Sequence, residues 1–209
     1  SHSHIMKNAI VPIDKHEKPN DGKIRIIYHT TPHRGLNILY STFDALSKQY
    51  DNIELDVYSS FKIYGWEQRD EPYKGLFDKL KQHPQINYHG SVSNEEVRMA
   101  LQSAHIFAYP SIWQETSCIA LIEAMSAGCL CVHPNYAALP ETANNMTTMY
   151  QWDENMQTHA NRAYVYLKSA IEHISTYGGP DMNTQIHNTN NAFKWSRRQK
   201  EWAQFLSSF

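Results

Sequence analysis

Pro110-Ser111-Ile112-Trp113-Gln114-Glu115-Thr116-Ser117-Cys118-Ile119-Ala120-Leu121-Ile122-Glu123-Ala124-Met125-Ser126-Ala127-Gly128 is the stretch on which the fold turns. From Cys118 to Ala127 apolar residues occupy nearly every face of a helix, the pattern of a helix buried all round. Short apolar runs of strand length flank it, Ile106 to Tyr109 before and Leu130 to His133 after. Strand, buried helix, strand is the repeating unit of a parallel sheet covered on both faces. Glu123 interrupts the apolar pattern from inside the helix, and Glu115 precedes it with seven residues between the two acids. A buried carboxylate is costly unless it is hydrogen-bonded or paired. Two explanations meet that cost. Either a core Arg or Lys sits beside Glu123 while Glu115 decorates a loop, or both acids face one ligand.

Outward from this unit the alternation continues. Lys23 to Thr30 is predicted as a strand ending in the turn Thr31-Pro32-His33-Arg34-Gly35, followed by a helix over Leu36 to Gln49. A strand over Ile53 to Ser59, a helix over Tyr73 to Gln82 and a short strand over Ile86 to His89 come next. Ser93 with Glu96 carries a capping-box signature for a helix running to about Ser103. Glu154 to about Thr176 is expected to be helical, Tyr177-Gly178-Gly179-Pro180 breaks the chain, and Asn190 to Phe209 is expected to form one amphipathic terminal helix. The expected fold class is α/β, a Rossmann-like doubly wound parallel sheet with helices on both faces. Ligands of such sheets bind where loops leave the carboxyl ends of the strands. The loops Thr30 to Gly35, Ser59 to Phe61, Gly90 to Ser93 and Ser111 to Ser117 should therefore meet in one cleft.

A chain of 209 residues with 41% hydrophobic and 12% aromatic content can bury the core of one sizeable α/β domain. A formal net charge of -2 gives no basic excess for a nucleic-acid partner. No apolar run approaches the roughly 20 residues of a transmembrane segment, and no secretory signal opens the chain. A cytoplasmic protein is expected, at most peripheral to a membrane. Cys118, Cys129 and Cys131 are expected to be reduced structural thiols, and Ser1 to Met6 resembles an expression scar. His29 and His33 stand four apart, but Pro32 between them spoils a ligating helix face and no Cys or carboxylate completes a tetrahedral set, so no metal is expected. Neither Asp-x-Asp nor Gly-x-Gly-x-x-Gly is present, against a metal-dependent sugar-nucleotide site and against an NAD enzyme.

Tyr109-Pro110-Ser111, the Glu115 and Glu123 pair, Glu123-Ala124-Met125-Ser126-Ala127-Gly128 and Leu139-Pro140-Glu141 together resemble the donor-binding half of the retaining glycosyltransferases of family 4. That family has the GT-B architecture of two facing Rossmann-like domains, and the resemblance covers almost the whole chain from Asn8-Ala9-Ile10-Val11-Pro12-Ile13-Asp14, which looks like an interdomain linker. It implies a division into residues 1–22 (expression scar and linker), 23–180 (nucleotide-sugar-binding domain) and 181–209 (tail and crossing helix). It also implies an N-terminal acceptor-binding domain as the missing partner, a UDP- or GDP-sugar as substrate, no cofactor or metal, and little or no transfer by this domain alone.

By resemblance, Arg34 stands where the family carries a Lys before Gly and would hold the diphosphate, while Glu115 would hold hydroxyls of the donor sugar. These two are the candidate catalytic residues. Glu123 would accept hydrogen bonds from the nucleotide ribose. The amides of Ser117, Cys118 and Ile119 at the start of the buried helix suit an anion, and the hydroxyls of Thr116 and Ser117 add donors. The base would lie near Gly90, Ser91 and Val92, with Ser59 and Ser60 beside it. Trp113 would line the sugar side of the cleft or anchor the loop in the core. Where many members have Gly-Arg at the end of the first strand, this chain has His29-Thr30, so the clamp holds one cation fewer and His29, His33 or Thr31 would substitute; Thr30 and Thr31 are therefore counted as donor-binding. A non-catalytic nucleotide-sugar-binding or protein-interaction module is the alternative.

Overall fold

A computed structural model describes residues 4–14 and 16–208 of the chain. Residues 1–3 of the expected scar and Phe209 of the expected terminal helix lie outside the described residues. Six strands, β1 (Ile24–Tyr28), β2 (Ile53–Val57), β3 (Ile86–Tyr88), β4 (Ile106–Ala108), β5 (Leu130–Pro134) and β6 (Thr148–Tyr150), form a parallel sheet in the order β3-β2-β1-β4-β5-β6. Every pairing is parallel, with Ile26 opposite Leu55 on one side and Ile106 on the other. Helices α1 (Leu36–Ser47), α2 (Lys74–Gln82), α3 (Asn94–Ser103), α4 (Ile119–Ser126), α5 (Leu139–Ala143), α6 (Met156–Tyr177), α7 (Asn183–Phe193) and α8 (Trp195–Leu206) connect and cover it.

This is the expected doubly wound sheet. Right-handed crossovers move outward in both directions from β1, so α1 and α6 pack together on one face while α3, α4 and α7 pack on the other. Ile26, Leu55, Ile106 and Phe107 have no solvent-exposed surface, and β4, buried at every residue, reads as an apolar run, whereas β2 alternates, burying Ile53, Leu55 and Val57 and leaving Glu54 and Asp56 half-buried. α3 starts where its capping box places it: the Ser93 hydroxyl accepts from the Glu96 amide at 3.2 Å and the Glu96 carboxylate accepts from the Ser93 amide at 3.0 Å.

Three elements differ from expectation. β6 and α5 were not foreseen, because three and five residues are too short to display a period. The single terminal helix is two helices, α7 and α8, with Lys194 extended between them. The polar run from Asn183 to Asn191 hides α7 because its buried face carries Gln185 and Thr189 as well as Phe193. Burying Gln185 is tolerable because its amide nitrogen donates to the Met125 and Cys129 carbonyls at 3.2 and 2.9 Å, satisfying the end of α4.

The expected linker segment lies along this same side. Ile10 donates its amide to the Phe193 carbonyl at 2.8 Å and packs with Phe193 and Ile122. Ile13 donates to the Ser126 hydroxyl at 2.9 Å, and that hydroxyl donates in turn to Asn190 at 2.5 Å. Cys118, Cys129 and Cys131 are buried free thiols, as read from the sequence. Among the described residues no helix is long and apolar enough to cross a membrane.

Candidate functional site

Strand order reverses between β1 and β4, and at such a switch point the loops leaving the two strands diverge and open a crevice. The β1 loop is a short 3-10 turn over Pro32–Arg34, which proline starts without losing a needed donor and Gly35 ends at φ 119°. Gly35 is required twice over. A side chain would be strained at that φ, and its Cβ would lie 2.2 Å from the Pro110 carbonyl oxygen. That close approach presses the β1 loop onto the β4 loop, where the Ile112 amide also donates to the Arg34 carbonyl at 3.3 Å.

Arg34 and Glu115 meet as a result. Arg34 Nη1 donates to Glu115 Oε1 at 2.5 Å, and the Tyr109 hydroxyl donates to the same oxygen at 2.5 Å. Arg34 Nε donates to the Thr31 hydroxyl at 3.1 Å, and the guanidinium lies 5.9 Å from the centre of the Trp113 ring. A guanidinium has five N–H donors, so this node leaves capacity on a side chain still 23% exposed. Burial pushes the Tyr109 phenol well above its ordinary range, with Cys118, Tyr28 and Glu115 adding to the shift, so Tyr109 stays a proton-bearing donor. Burial likewise pushes the Cys118 thiol up to about 12, which keeps it neutral at the start of α4. The Ala138 amide, at the end of the β5 loop, donates to the Glu115 carbonyl at 3.1 Å and fixes the backbone of the acid from the other side.

Glu123 lies one turn into α4 with only 7% of its surface exposed. Its carboxylate is 3.7 Å from Arg98 of α3 and 3.9 Å from His29 of the β1 loop, beyond ordinary hydrogen-bond distance for both. Burial raises its pKa, while Arg98 and a side-chain hydrogen bond from Asn94 oppose the rise. A basic partner therefore exists, as the ordinary reading of a buried acid requires, but it approaches only loosely. Ile119, on the same helical face one turn earlier, is 46% exposed, so this face of α4 reaches the surface at its amino end.

Among the described residues, five of the ten buried side-chain polar atoms without hydrogen-bond partners lie around this crevice: both ring nitrogens of His29, the Thr30 hydroxyl, the Ser59 hydroxyl and His33 Nδ1. Burial holds His29 at a pKa of about 4, partly offset by the Ala120 backbone, and partial burial with the Arg34 and Arg69 charges holds His33 at about 4. His33 is clamped between Phe61 (centroids 5.1 Å, stacked) and Trp113 (4.5 Å, edge-on), which gives Trp113 its anchoring role in the β4 loop.

The structure brings most of the expected site residues to this end of the sheet, in separate compartments. Thr30, Thr31, Gly90, Ser91 and Val92 line one small cavity of about 70 Å³ together with His29. Ser59 is 2% exposed and lies behind that cavity, where its carbonyl accepts from the Tyr88 hydroxyl at 2.8 Å. Ser60 also lines that cavity, and it caps a 3-10 turn and donates to Asp70 at 2.5 Å. Thr116 and Ser117 line a different depression of about 360 Å³, beside Lys7, Asn8, Glu141 and Thr142. Tyr109 and Arg98 were not foreseen as partners of the two acids. Tyr109 stood in the quoted motif as a strand end, and nothing in sequence brings α3 against α4. Among the described residues no three His, Cys, Asp or Glu side chains are grouped as a metal would need.

A sequence profile described as glycosyl transferases group 1 matches residues 12–168, about three quarters of the chain. The chain belongs to this family. Its fold is that of GT-B glycosyltransferase C-terminal domains, as solved structures show. The Anabaena HepE protein in complex with UDP superimposes with a TM-score of 0.69 at 15% identity, over 91% of this chain and 50% of that one. A glycosyltransferase from Rickettsia africae gives 0.68 at 18% identity, over 90% and 48%. The pneumococcal O-GlcNAc transferase GtfA in complex with UDP and GlcNAc gives 0.61 at 10% identity, over 97% and 38%. The chain thus spans half the length of these proteins or less. No curated protein matches it in sequence.

Proposed function

We propose that this chain is the donor-binding domain of a retaining glycosyltransferase of family 4, taking a sugar from a UDP- or GDP-sugar to an acceptor held by a second, N-terminal domain. The observation that carries the reading is the Arg34–Glu115–Tyr109 node at the switch point, set among buried polar atoms that have no partner within the protein. Departure of a nucleoside diphosphate builds negative charge on its oxygens, and fixed donors aimed at that charge are the strongest catalysts available. Arg34 supplies a guanidinium suited to gripping phosphate. The free amides at the start of α4 supply a second, dipolar contribution, so the reading calls for no metal. Glu115, held by Tyr109 and Arg34 through one oxygen, has the other available to the sugar's hydroxyls. Acceptor attack would come from the face the diphosphate leaves, which keeps the anomeric configuration.

The neutral His29 at the strand end where many members of the family carry Gly-Arg favours a second reading, a domain that binds nucleotide sugar without transferring it. Calorimetric titration of the chain with UDP, GDP and ADP tests the first part of the proposal, and binding of one diphosphate over its free nucleoside is the expected result. Sugar transfer by the chain joined to its acceptor-binding domain, assayed over a panel of sugar nucleotides, separates transferase from binding module. A cytoplasmic location, with or without peripheral membrane contact, belongs to the same proposal.

A further inference from the structure

A cavity of about 490 Å³ lies at the opposite end of the sheet from the crevice. Leu130 and Thr148, the first residues of β5 and β6, border it, with α6 forming one wall and the start of α7 another. The length of a five-residue strand, about 16 Å, separates it from the loops that hold Arg34 and Glu115. Its volume falls within the range of about 300 to 1,000 Å³ typical of small-molecule sites.

On α6 the positions that face this cavity are Tyr166, Ser169 and His173, spaced three and four apart and so stacked on one side of the helix. Opposite them stands Gln185, 5% exposed. Its amide nitrogen is committed to the Met125 and Cys129 carbonyls, which fixes the plane of the amide, and its Oε1 is left buried without a partner. A buried acceptor in that state carries a desolvation cost that an O–H or N–H from a ligand would remove. Among the described residues, the side chains of Asn145, Thr148, Ser169 and His173 make no hydrogen bond within the protein, so their donors and acceptors are free for a ligand as well.

The lining selects the class of ligand. Among the described residues no Lys, Arg, Asp or Glu borders the cavity, so a phosphate, carboxylate or ammonium group would lose water there and gain no opposite charge. A wholly apolar ligand would leave the Gln185 carbonyl stranded and strip water from Asn145, Thr148 and Ser169. An uncharged molecule with several hydroxyls and an apolar face meets both conditions. A pyranose is such a molecule, with hydroxyls around its rim that donate and accept and C–H groups across its faces. The apolar counterpart is the Tyr166 ring, 37% exposed and braced against the Tyr150 ring at 5.5 Å between centroids, with Met146 and Met182 beside it.

We propose that this cavity is a saccharide-binding site separate from the site of transfer, which takes an uncharged pyranoside of a glycan chain and anchors that chain on the enzyme. A sugar hydroxyl donates to Gln185 Oε1, and a sugar face lies on Tyr166. Anchoring a long glycan at a second point raises its effective concentration at the first. The inference uses the chain's membership of a glycosyltransferase family and stands apart from the nucleotide-binding reading above.

The test is an NMR titration of the nitrogen-labelled chain with maltotriose, mannotriose and N-acetylchitotriose, with and without UDP, and with indole as an uncharged aromatic control. At least one trisaccharide is expected to bind in the millimolar range and to shift the amides of residues 130–131, 145–148 and 166–173, to the same extent when UDP is present. Ser169→Trp, a change at an exposed position, fills the cavity and should weaken that saccharide by about tenfold or more. Tyr166→Ala should weaken it about two- to tenfold, the loss of one aromatic contact. If neither variant folds, the map of shifted amides in the wild type decides. Absence of binding by all three trisaccharides, undiminished binding in Ser169→Trp, shifts confined to the carboxyl ends of the strands, or a cavity that takes indole and no saccharide overturns the proposal. Failure of UDP to bind would count against the nucleotide-binding reading alone.

Discussion

Arg34→Met separates the two jobs assigned to one side chain. Methionine keeps much of the length and apolar stem but removes the charge and all five donors. For binding, the loss is that of hydrogen bonds to a charged group, about 1.5 to 3 kcal/mol, so UDP or GDP affinity should fall roughly ten- to 150-fold while affinity for uridine or guanosine stays within about twofold. For stability, the variant leaves Glu115, whose side chain is 5% exposed, with the Tyr109 hydroxyl as its remaining side-chain donor. Stranding a fully buried charge costs about 3 to 5 kcal/mol, and the crevice beside Glu115 lets water in, so a loss of about 2 kcal/mol is expected in urea denaturation at pH 7. Arg34→Met combined with Glu115→Gln removes the stranded charge and should be more stable than the sum of the two single changes predicts, by about 1 kcal/mol or more. Equal weakening of the diphosphate and the free nucleoside would refute the phosphate role. Strict additivity in the double variant would refute the coupling of Arg34 to Glu115.

Glu123→Ala should weaken nucleoside diphosphate binding by about 1.5 to 3 kcal/mol in calorimetry, and unchanged affinity would remove Glu123 from the site. Gly35→Ala should cost more than about 2 kcal/mol of stability by denaturant titration, because its Cβ would sit 2.2 Å from the Pro110 carbonyl at φ 119°; a loss under about 0.5 kcal/mol would mean the two loops are free to separate. Acid should destabilise the fold through His29 and His133, both held by burial at about 4, against an ordinary value of 6.5. A lowered histidine pKa means the unfolded chain takes up the proton first, so the stability these rings contribute is whole above pH 6.5 and drains away as pH falls toward 4. Urea midpoints at pH 7, 6 and 5 should therefore fall steadily, and His133→Asn should flatten the slope; a midpoint independent of pH across that range would contradict the burial of both rings.

The layered architecture was legible because its central strands are largely buried, leaving apolar runs such as Ile106 to Tyr109 that admit little else. Ser93 and Glu96 announced α3 by a local exchange of hydrogen bonds, and local chemistry survives in sequence. β6 and α7 were illegible for the converse reason. Three residues show no period, and α7 buries Gln185 through bonds to the Met125 and Cys129 carbonyls, which lie far away in sequence. The site divides the same way. Arg34, Glu115 and Glu123 were found from motif positions, but the Tyr109 hydroxyl and the Arg98 guanidinium reach those acids only through tertiary packing. His29 stands in the sequence as a substitute for the missing cation of the clamp, but burial holds its ring at a pKa of about 4, so it is neutral there and supplies no charge.

The paired amide of Ile10 and the hydroxyl of Ser126 put the two extremities of the folded unit in mechanical contact with one short rod, α4. Residues 10–13 and α7 therefore share one point of attachment on α4, and any rearrangement of either segment must break or move a contact of the helix that carries Glu123.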